Sequence, residues 1–341
     1  MTARSDLHST ARALVAEGKG ILAADESLPT IGKRFQSIEL ESNEDNRRAY
    51  RDMLFTTPGL EDFVSGVILF DETIRQSSGD GTPFRDLLAT KGIIVGIKVD
   101  RSAKDLALHP GEKVTEGLDG LRGRLEEYFS MGARFTKWRA VITIGEGIPS
   151  DYCIRANAHA LGRFAALSQE AGLVPITEPE VLMDGDHSID ACYAATASTL
   201  SATFEELTAA RVDLEGMLLK TNMVLSGKRA PERAGVDEVA ERTAACMREL
   251  VPSSVPGIVF LSGGQSEEEA TAHLSAMNRL GSHPWELSFS YARALQGPAL
   301  KAWKGEAANV EAGQRALHHR ARLNGAARSG SYTADMEQEA S

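Results

Sequence analysis

The sequence is poor in cysteine, in aromatic residues and in long apolar runs. Its three cysteines, Cys153, Cys192 and Cys246, are isolated, with no CxxC spacing and no even count. Neither a disulfide framework nor a zinc knuckle is indicated, and a reducing, cytoplasmic setting fits. Nowhere do about 18 apolar residues run together, so no membrane-spanning helix is expected. Residues 1–20 carry arginines but no continuous apolar stretch of the kind a secretory signal needs. Positive charge is also scarce: 37 Lys and Arg stand against 48 Asp and Glu, a formal charge of -11. That balance opposes binding to the nucleic-acid backbone. An anionic metabolite would have to meet a local basic island set against the field of the whole chain. The eight histidines are scattered except for the tail pair His318 and His319, so no metal site is expected.

What the 341 residues do contain is 42% hydrophobic and 25% charged residues, ordinary globular proportions. Short apolar runs recur, each followed by a longer helical stretch. They are GILAAD ending at Asp25, GVILFDE over 66–72, IIVGIKVD over 93–100, FTKWRAVI over 135–142, LVPITEPEV over 173–181, LEGMLLK over 214–220, GIVFLSGG over 257–264 and WELSFSY over 285–291. Runs apolar on both faces imply parallel strands covered by helices. Leu7, Ala11, Leu14 and Val15 mark an amphipathic N-terminal helix, and Leu118, Leu121, Leu125 and Phe129 mark another. Ser266 and Glu269 have capping-box spacing, and Gly281 supplies a stop. The regular alternation favours one (β/α)8 barrel over 1–304, with an open doubly wound sheet as its competitor. A tail over 305–341 is expected to hold one helix around Ala307–Leu323 and then a mobile end.

Ionisable side chains inside the most apolar strands are the strongest chemical signal, because burying a lone charge costs several kcal/mol. Lys137 and Arg139 stand two apart and share a face; Glu178 and Glu180 do the same on the next strand. This set reads either as an ion-pair lattice closing the barrel or as reactive groups at its mouth. Lys220 closes the run LEGMLLK. If it points into a mouth holding Lys137 and Arg139, desolvation and like charge both lower its pKa. A neutral amine beside a carboxylate suits imine formation with a ketone or aldehyde. The seventh run ends in Ser262, Gly263, Gly264 and Gln265 ahead of the capped helix, and Arg293 follows the eighth. Glycine N–H groups, a helix N-terminus and an arginine suit a phosphate, although a plain tight turn explains the glycines equally. Lys98 and Asp25 end the third and first strands and complete the rim.

These residues resemble class I fructose-bisphosphate aldolase, the Schiff-base type, from GKGILAADES to AWKG near residue 305. Matching segments include NRRAYR, GVILFDET, GIKVD, FTKWR, VPITEPEVLMDGDH, LLKTNMV, FLSGGQSEEEA and WELSFSYARALQGPALKAWKG. The resemblance implies a lyase of glycolysis and gluconeogenesis that reversibly cleaves fructose 1,6-bisphosphate to dihydroxyacetone phosphate and glyceraldehyde 3-phosphate. It implies Lys220 as the Schiff-base lysine, Glu178 as the acid/base for carbinolamine dehydration, Asp25 as the group that handles the 4-hydroxyl, and Lys137 as the cation stabilising oxygen charge. Ser262, Gly263, Gly264, Ser290 and Arg293 match the ketone-side phosphate site. Ser27, Thr30, Arg34 and Lys98 resemble residues at the distal phosphate, and Arg139 and Glu180 supporting charges. A cytoplasmic homotetramer without metal or cofactor is implied, with no nucleic-acid or membrane partner.

Three departures accompany the match. Thr30 stands where many relatives have Ser, Ala292 where animal relatives have Gly, and the chain ends ADMEQEAS where animal enzymes place a tyrosine that finishes a late proton transfer. Tyr332 lies too far inside the chain for a simple carry-over. Other imine-forming barrels such as transaldolase share the chemistry, but two phosphate sites argue against monophosphate substrates. Sedoheptulose bisphosphate and a non-catalytic scaffold are the remaining alternatives, and the intact set Asp25, Lys98, Lys137, Glu178 and Lys220 weighs against the latter.

Overall fold

The structure is a computed structural model and describes residues 3–338. Its strands, in chain order, are Gly20–Ala24 (β1), Val64–Leu69 (β2), Ile94–Lys98 (β3), Ala103–Asp105 (β4), Lys113–Thr115 (β5), Phe135–Ile142 (β6), Val174–Val181 (β7), Leu218–Thr221 (β8), Gly257–Phe260 (β9) and Glu286–Tyr291 (β10). All but β4 and β5 pair in parallel and close a barrel in the order β1-β10-β9-β8-β7-β6-β3-β2. Closure excludes the open-sheet competitor. The barrel strands are apolar on both faces because side chains point alternately to the barrel interior and to the helices outside.

Inside, Phe135, Ile176, Leu218 and Val259 pack with Leu7, Ala11, Leu14 and Val15 of the N-terminal segment, so the helix Ala3–Leu14 and the residue after it plug one end of the barrel. Glycine on the strands makes room for these side chains. A Cβ on Gly66 would lie 2.6 Å from Leu14, and one on Gly96 2.2 Å from the Phe135 ring. The plugged end is where the strands begin; their far ends carry Asp25, Lys98, Lys220 and the glycine loop.

Local chemistry sets several boundaries. Ser266 accepts from the Glu269 N–H and Glu269 reaches back to Ser266, so the expected capping box starts the helix Glu267–Arg279. The helix after β5 starts at Leu121 rather than near Leu118, because Gly120 takes a left-handed φ of 66° at its N-cap. The apolar run LEGMLLK divides into a 3-10 turn, Leu214–Gly216, and the strand β8, because Asp213 caps the turn through the Glu215 N–H. The hairpin of β4 and β5 has no counterpart among the expected elements; it pairs Ala103 with Thr115 and Asp105 with Lys113 beside the barrel.

The tail differs from expectation. Its helix runs Val310–Arg328, past Leu323, and packs on the helices Arg293–Trp303 and Glu267–Arg279. Beyond it Tyr332 is buried and donates to Glu337 Oε1 at 2.8 Å. The same carboxylate receives the buried Arg320 at 2.6 Å, which ties residues 332–337 to the body of the chain. Residues 339–341 of the segment expected to be mobile lie outside the described residues. Among the described residues no helix is long and apolar enough to cross a membrane.

Candidate active site

The adjacent strands β6 and β7 pair from Phe135 with Val174 to Ile142 with Val181. The ladder from β7 to β8 is short, ending at Thr177 with Leu219. Strand pairing therefore stops just before Glu178 and Lys220, and the two side chains enter the barrel where β7 and β8 separate. Pro179, which has no N–H to donate, follows directly. The gap is closed beyond them by Asn222, whose Oδ1 accepts from Val181 N at 2.9 Å and whose Nδ2 donates to Thr196 Oγ1 at 3.0 Å.

Lys220 Nζ lies 3.2 Å from Glu178 Oε1, and Lys137 Nζ lies 2.7 Å from Glu178 Oε2 and 3.0 Å from Asp25 Oδ2. All four side chains are buried. The Cα partner of Glu178 across the ladder is Arg139, yet its ion pair is with Lys137, two residues earlier. Inward side chains of tilted barrel strands meet diagonally, not straight across. Arg139 correspondingly pairs with Glu180. The two cations and two carboxylates whose spacing places them face to face meet as the pairs Lys137–Glu178 and Arg139–Glu180, and Lys137 holds Asp25 as well.

Electrostatics divides these groups. Burial lowers the Lys220 pKa, the like charge of Lys137 lowers it further, and the Glu178 carboxylate opposes both; the net shift is downward. Burial acts on Lys137 in the same sense, but the carboxylates of Asp25, Glu178 and Asp100 outweigh it and hold the ammonium. Burial raises Asp25, and Lys137, Lys220 and Lys98 more than reverse this, bringing it to about 2. Glu178 is likewise held below the usual carboxylate range, with Lys137, Lys220 and Arg139 overcoming its burial. The site is one lysine poised to lose its proton beside one that keeps it, with two ionised carboxylates between and around them. Such an arrangement can form an imine and stabilise oxygen charge without a further ion.

Lys98 binds Asp100 Oδ1 at 2.6 Å, and Asp100 also receives the Arg139 N–H at 3.2 Å. Arg34 is held by Glu26, and Ser27 Oγ lies 3.0 Å from Thr30 Oγ1 on the first turn of the helix Leu28–Gln36. At the ends of β9 and β10, next to β1 in the barrel, Ser262 is buried, Gly264 takes a φ of 81°, and the buried Ser290 hydroxyl has no hydrogen-bond partner among the described residues. A Cβ on Gly264 would lie 2.5 Å from Met183, so only glycine lets this loop approach. Arg293 is exposed and, among the described residues, reaches only the carbonyls of Ser262 and Gln265, at 3.4 Å. The structure thus gathers Asp25, Lys137, Glu178 and Lys220, sets Ser262–Gly264 and Arg293 together, and leaves the Ser27, Thr30 and Arg34 group at the start of a separate helix.

Several supporting residues escaped sequence reasoning. Glu26, next to Asp25, is buried between Arg34 and Arg51, with Arg51 Nη2 donating at 2.5 Å and Gln296 Nε2 at 2.9 Å. Gln296 also donates to the Ala23 carbonyl at 2.6 Å, tying the end of β1 to the helix after β10. Asp100 stands two residues from Lys98, so the same-face rule that found Lys137 and Arg139 also reaches it. Among the described residues no three His, Cys, Asp or Glu side chains are grouped so as to hold a metal ion.

Comparison with known proteins agrees with this geometry. The family model for class-I fructose-bisphosphate aldolase matches residues 6–341. A probable fructose-bisphosphate aldolase class 1 from Xanthomonas campestris pv. campestris is 58% identical over 327 residues, covering 96% of this chain and 98% of that one. The cytosolic fructose-bisphosphate aldolase 5 of Arabidopsis thaliana is 52% identical over 329 residues, 96% of this chain and 92% of its own. A co-crystal structure of fructose-bisphosphate aldolase from Plasmodium falciparum, with TRAP and a small-molecule inhibitor, superposes with a TM-score of 0.96 at 47% identity. It covers 97% of this chain and 96% of that one.

Proposed function

Because this chain belongs to the class I fructose-bisphosphate aldolase family, we propose that Lys220 is the residue through which it forms its Schiff base. The enzyme is a lyase that cleaves fructose 1,6-bisphosphate reversibly to dihydroxyacetone phosphate and glyceraldehyde 3-phosphate. One observation carries the assignment to Lys220: a buried amine 3.2 Å from a carboxylate, with its pKa drawn down by burial and by a neighbouring lysine.

Lys220 Nζ, as the free amine, attacks the C2 ketone and forms a carbinolamine. Glu178, ionised at rest, takes the proton that Lys220 gives up on becoming the free amine and delivers it to the carbinolamine oxygen, which leaves as water, and the iminium remains. Asp25 takes the 4-hydroxyl proton as the C3–C4 electron pair moves into the iminium. Glyceraldehyde 3-phosphate departs and an enamine is left. Protonation of its C3 and addition of water release dihydroxyacetone phosphate and the free amine. Lys137, which keeps its charge, stabilises oxygen that becomes negative along this path. Ser262, Gly263, Gly264, Ser290 and Arg293 hold the ketone-side phosphate; Ser27, Thr30, Arg34 and Lys98 serve the distal one. Arg139 and Glu180 orient Lys137 and Glu178. Barrel residues 1–304 carry the chemistry, and 305–341 form an appended tail.

Borohydride reduction in the presence of dihydroxyacetone phosphate tests the assignment. A stable adduct on the peptide containing Lys220 is expected, and an adduct elsewhere, or none, overturns it. The family resemblance also supports a homotetramer, checked by light scattering on the purified chain, and the buried, unpaired cysteines support a cytoplasmic location.

A further inference from the structure

Two rim loops beside the glycine turn are bound to each other. Gly227 N donates to the His187 carbonyl at 2.8 Å, Lys228 N to Met183 at 2.9 Å and Arg229 N to Gly185 at 2.8 Å. These contacts fix residues 183–187, after β7, against 227–229, after β8. The pair then packs on Gly264: a Cβ placed there would meet Met183 at 2.5 Å and Lys228 Cε at 3.8 Å. The stem of Lys228 therefore lies over the glycine turn, and its ammonium is one bond further out. That ammonium is held by Asp184 Oδ1 at 2.7 Å, with side-chain exposures of 43% and 63% for the two partners.

We infer that Lys228 is a further binding residue for the ketone-side phosphate, released from Asp184 when the phosphate dianion settles on the glycine turn. The inference rests on reading Ser262–Gly264 as the cradle of that phosphate. Lys98, Lys137, Arg139 and Lys220 each have a carboxylate within ion-pair reach, whereas Arg293 approaches the cradle with none among the described residues. One arginine leaves a dianion half neutralised, and Lys228 is a second cation placed over the same turn. An exposed single-carboxylate ion pair is weak, so a dianion that also collects backbone N–H groups competes for the lysine on favourable terms. Asp184 then acts as a holder: it keeps the ammonium over the turn and sets the affinity that the phosphate must exceed.

The pairing makes opposite charge changes diverge. In the condensation direction, Lys228→Met is expected to raise the KM for dihydroxyacetone phosphate about three- to tenfold. The KM for glyceraldehyde 3-phosphate and kcat should stay within about twofold, and Lys228→Arg should restore affinity. Asp184→Asn, which frees the lysine, is expected to lower the KM for dihydroxyacetone phosphate. If Lys228→Met and Asp184→Asn both raise it, the ion pair merely braces the loops and the inference fails. It fails equally if Lys228→Met leaves that KM unchanged while borohydride still traps an adduct at Lys220, an outcome that leaves the catalytic assignment standing. No adduct in the unaltered chain overturns the site reading and this inference with it.

Discussion

Lys137 and Lys220 sit on opposite oxygens of a single buried carboxylate: Glu178 Oε2 lies 2.7 Å from one ammonium and Oε1 3.2 Å from the other. They nevertheless move apart in acidity. Burial acts on both, but Lys137 also has Asp25 at 3.0 Å, and the carboxylates together raise it. Lys220 has only its share of Glu178 as a direct partner, with Lys137 as a repelling neighbour, and its pKa falls. Two chemically identical side chains are thereby set apart, one drawn toward the free amine and one held as a fixed charge.

Removing the shared carboxylate should separate its two effects. Glu178→Gln takes away the charge that raises the Lys220 pKa, so the amine titrates at still lower pH. The same change removes the proton donor for carbinolamine dehydration, a loss of roughly 10²–10⁴ in kcat. Borohydride trapping measured against pH reads the first, and steady-state cleavage the second. A midpoint that moves to higher pH contradicts this division of charge between the two lysines.

Arg293 is expected to carry the largest single share of ketone-side phosphate affinity. Among the described residues its guanidinium touches only two carbonyls at 3.4 Å, so binding an anion breaks no ion pair there. A charge-assisted contact of about 1.5–3 kcal/mol corresponds to roughly 10- to 150-fold in affinity for dihydroxyacetone phosphate. Arg293→Met tests this by calorimetric titration with that ligand. A change under about twofold places the phosphate elsewhere.

How far the sequence discloses this arrangement depends on separation along the chain. Lys137 with Arg139, and Glu178 with Glu180, are legible because a strand repeats every two residues and a charge among apolar neighbours stands out. The barrel strands are legible differently, as short runs apolar on both faces, each followed by a helical stretch. The hairpin is not, since Ala103–Asp105 and Lys113–Thr115 are too short to show a period. Glu26, Arg51 and Gln296 are also hidden: the first two are 25 residues apart and Gln296 lies 270 from Glu26, and only barrel closure brings them together. The diagonal pairing of Lys137 with Glu178 follows from strand tilt, which no local pattern encodes.

Chelation should leave the reaction untouched. In the proposed path the developing oxygen charge meets the Lys137 ammonium, fixed by Asp25 and Glu178, and the iminium supplies the electron sink. Cleavage rates in excess EDTA and after adding back zinc are expected to match those of the untreated enzyme. Loss of activity on chelation, restored by the metal, contradicts a lysine-centred mechanism.

Acid should loosen the barrel mouth through Asp25 and Glu26 together. Burial raises both pKa values, but the lysines around Asp25 bring it from 3.8 to about 2, and Arg34 and Arg51 bring Glu26 below 4.5. Each folded pKa lies under its unfolded value, so the native state binds fewer protons there. The stabilisation is full above about pH 4.5 and is lost as pH falls toward the folded values; Asp25 alone contributes roughly 2 kcal/mol. Glu26→Gln keeps the shape and one acceptor but strands the buried Arg51 guanidinium, which costs about 3–5 kcal/mol at pH 7. Because the variant no longer has a Glu26 proton to take up, its stability should fall less steeply than the parent's between about pH 5 and pH 3, with Asp25 supplying the remaining slope. Urea unfolding at several pH values measures both terms. Parallel curves for parent and variant would mean that Glu26 does not titrate differently in the folded chain, and the Arg34–Glu26–Arg51 cluster could then not be what holds the end of β1 in place.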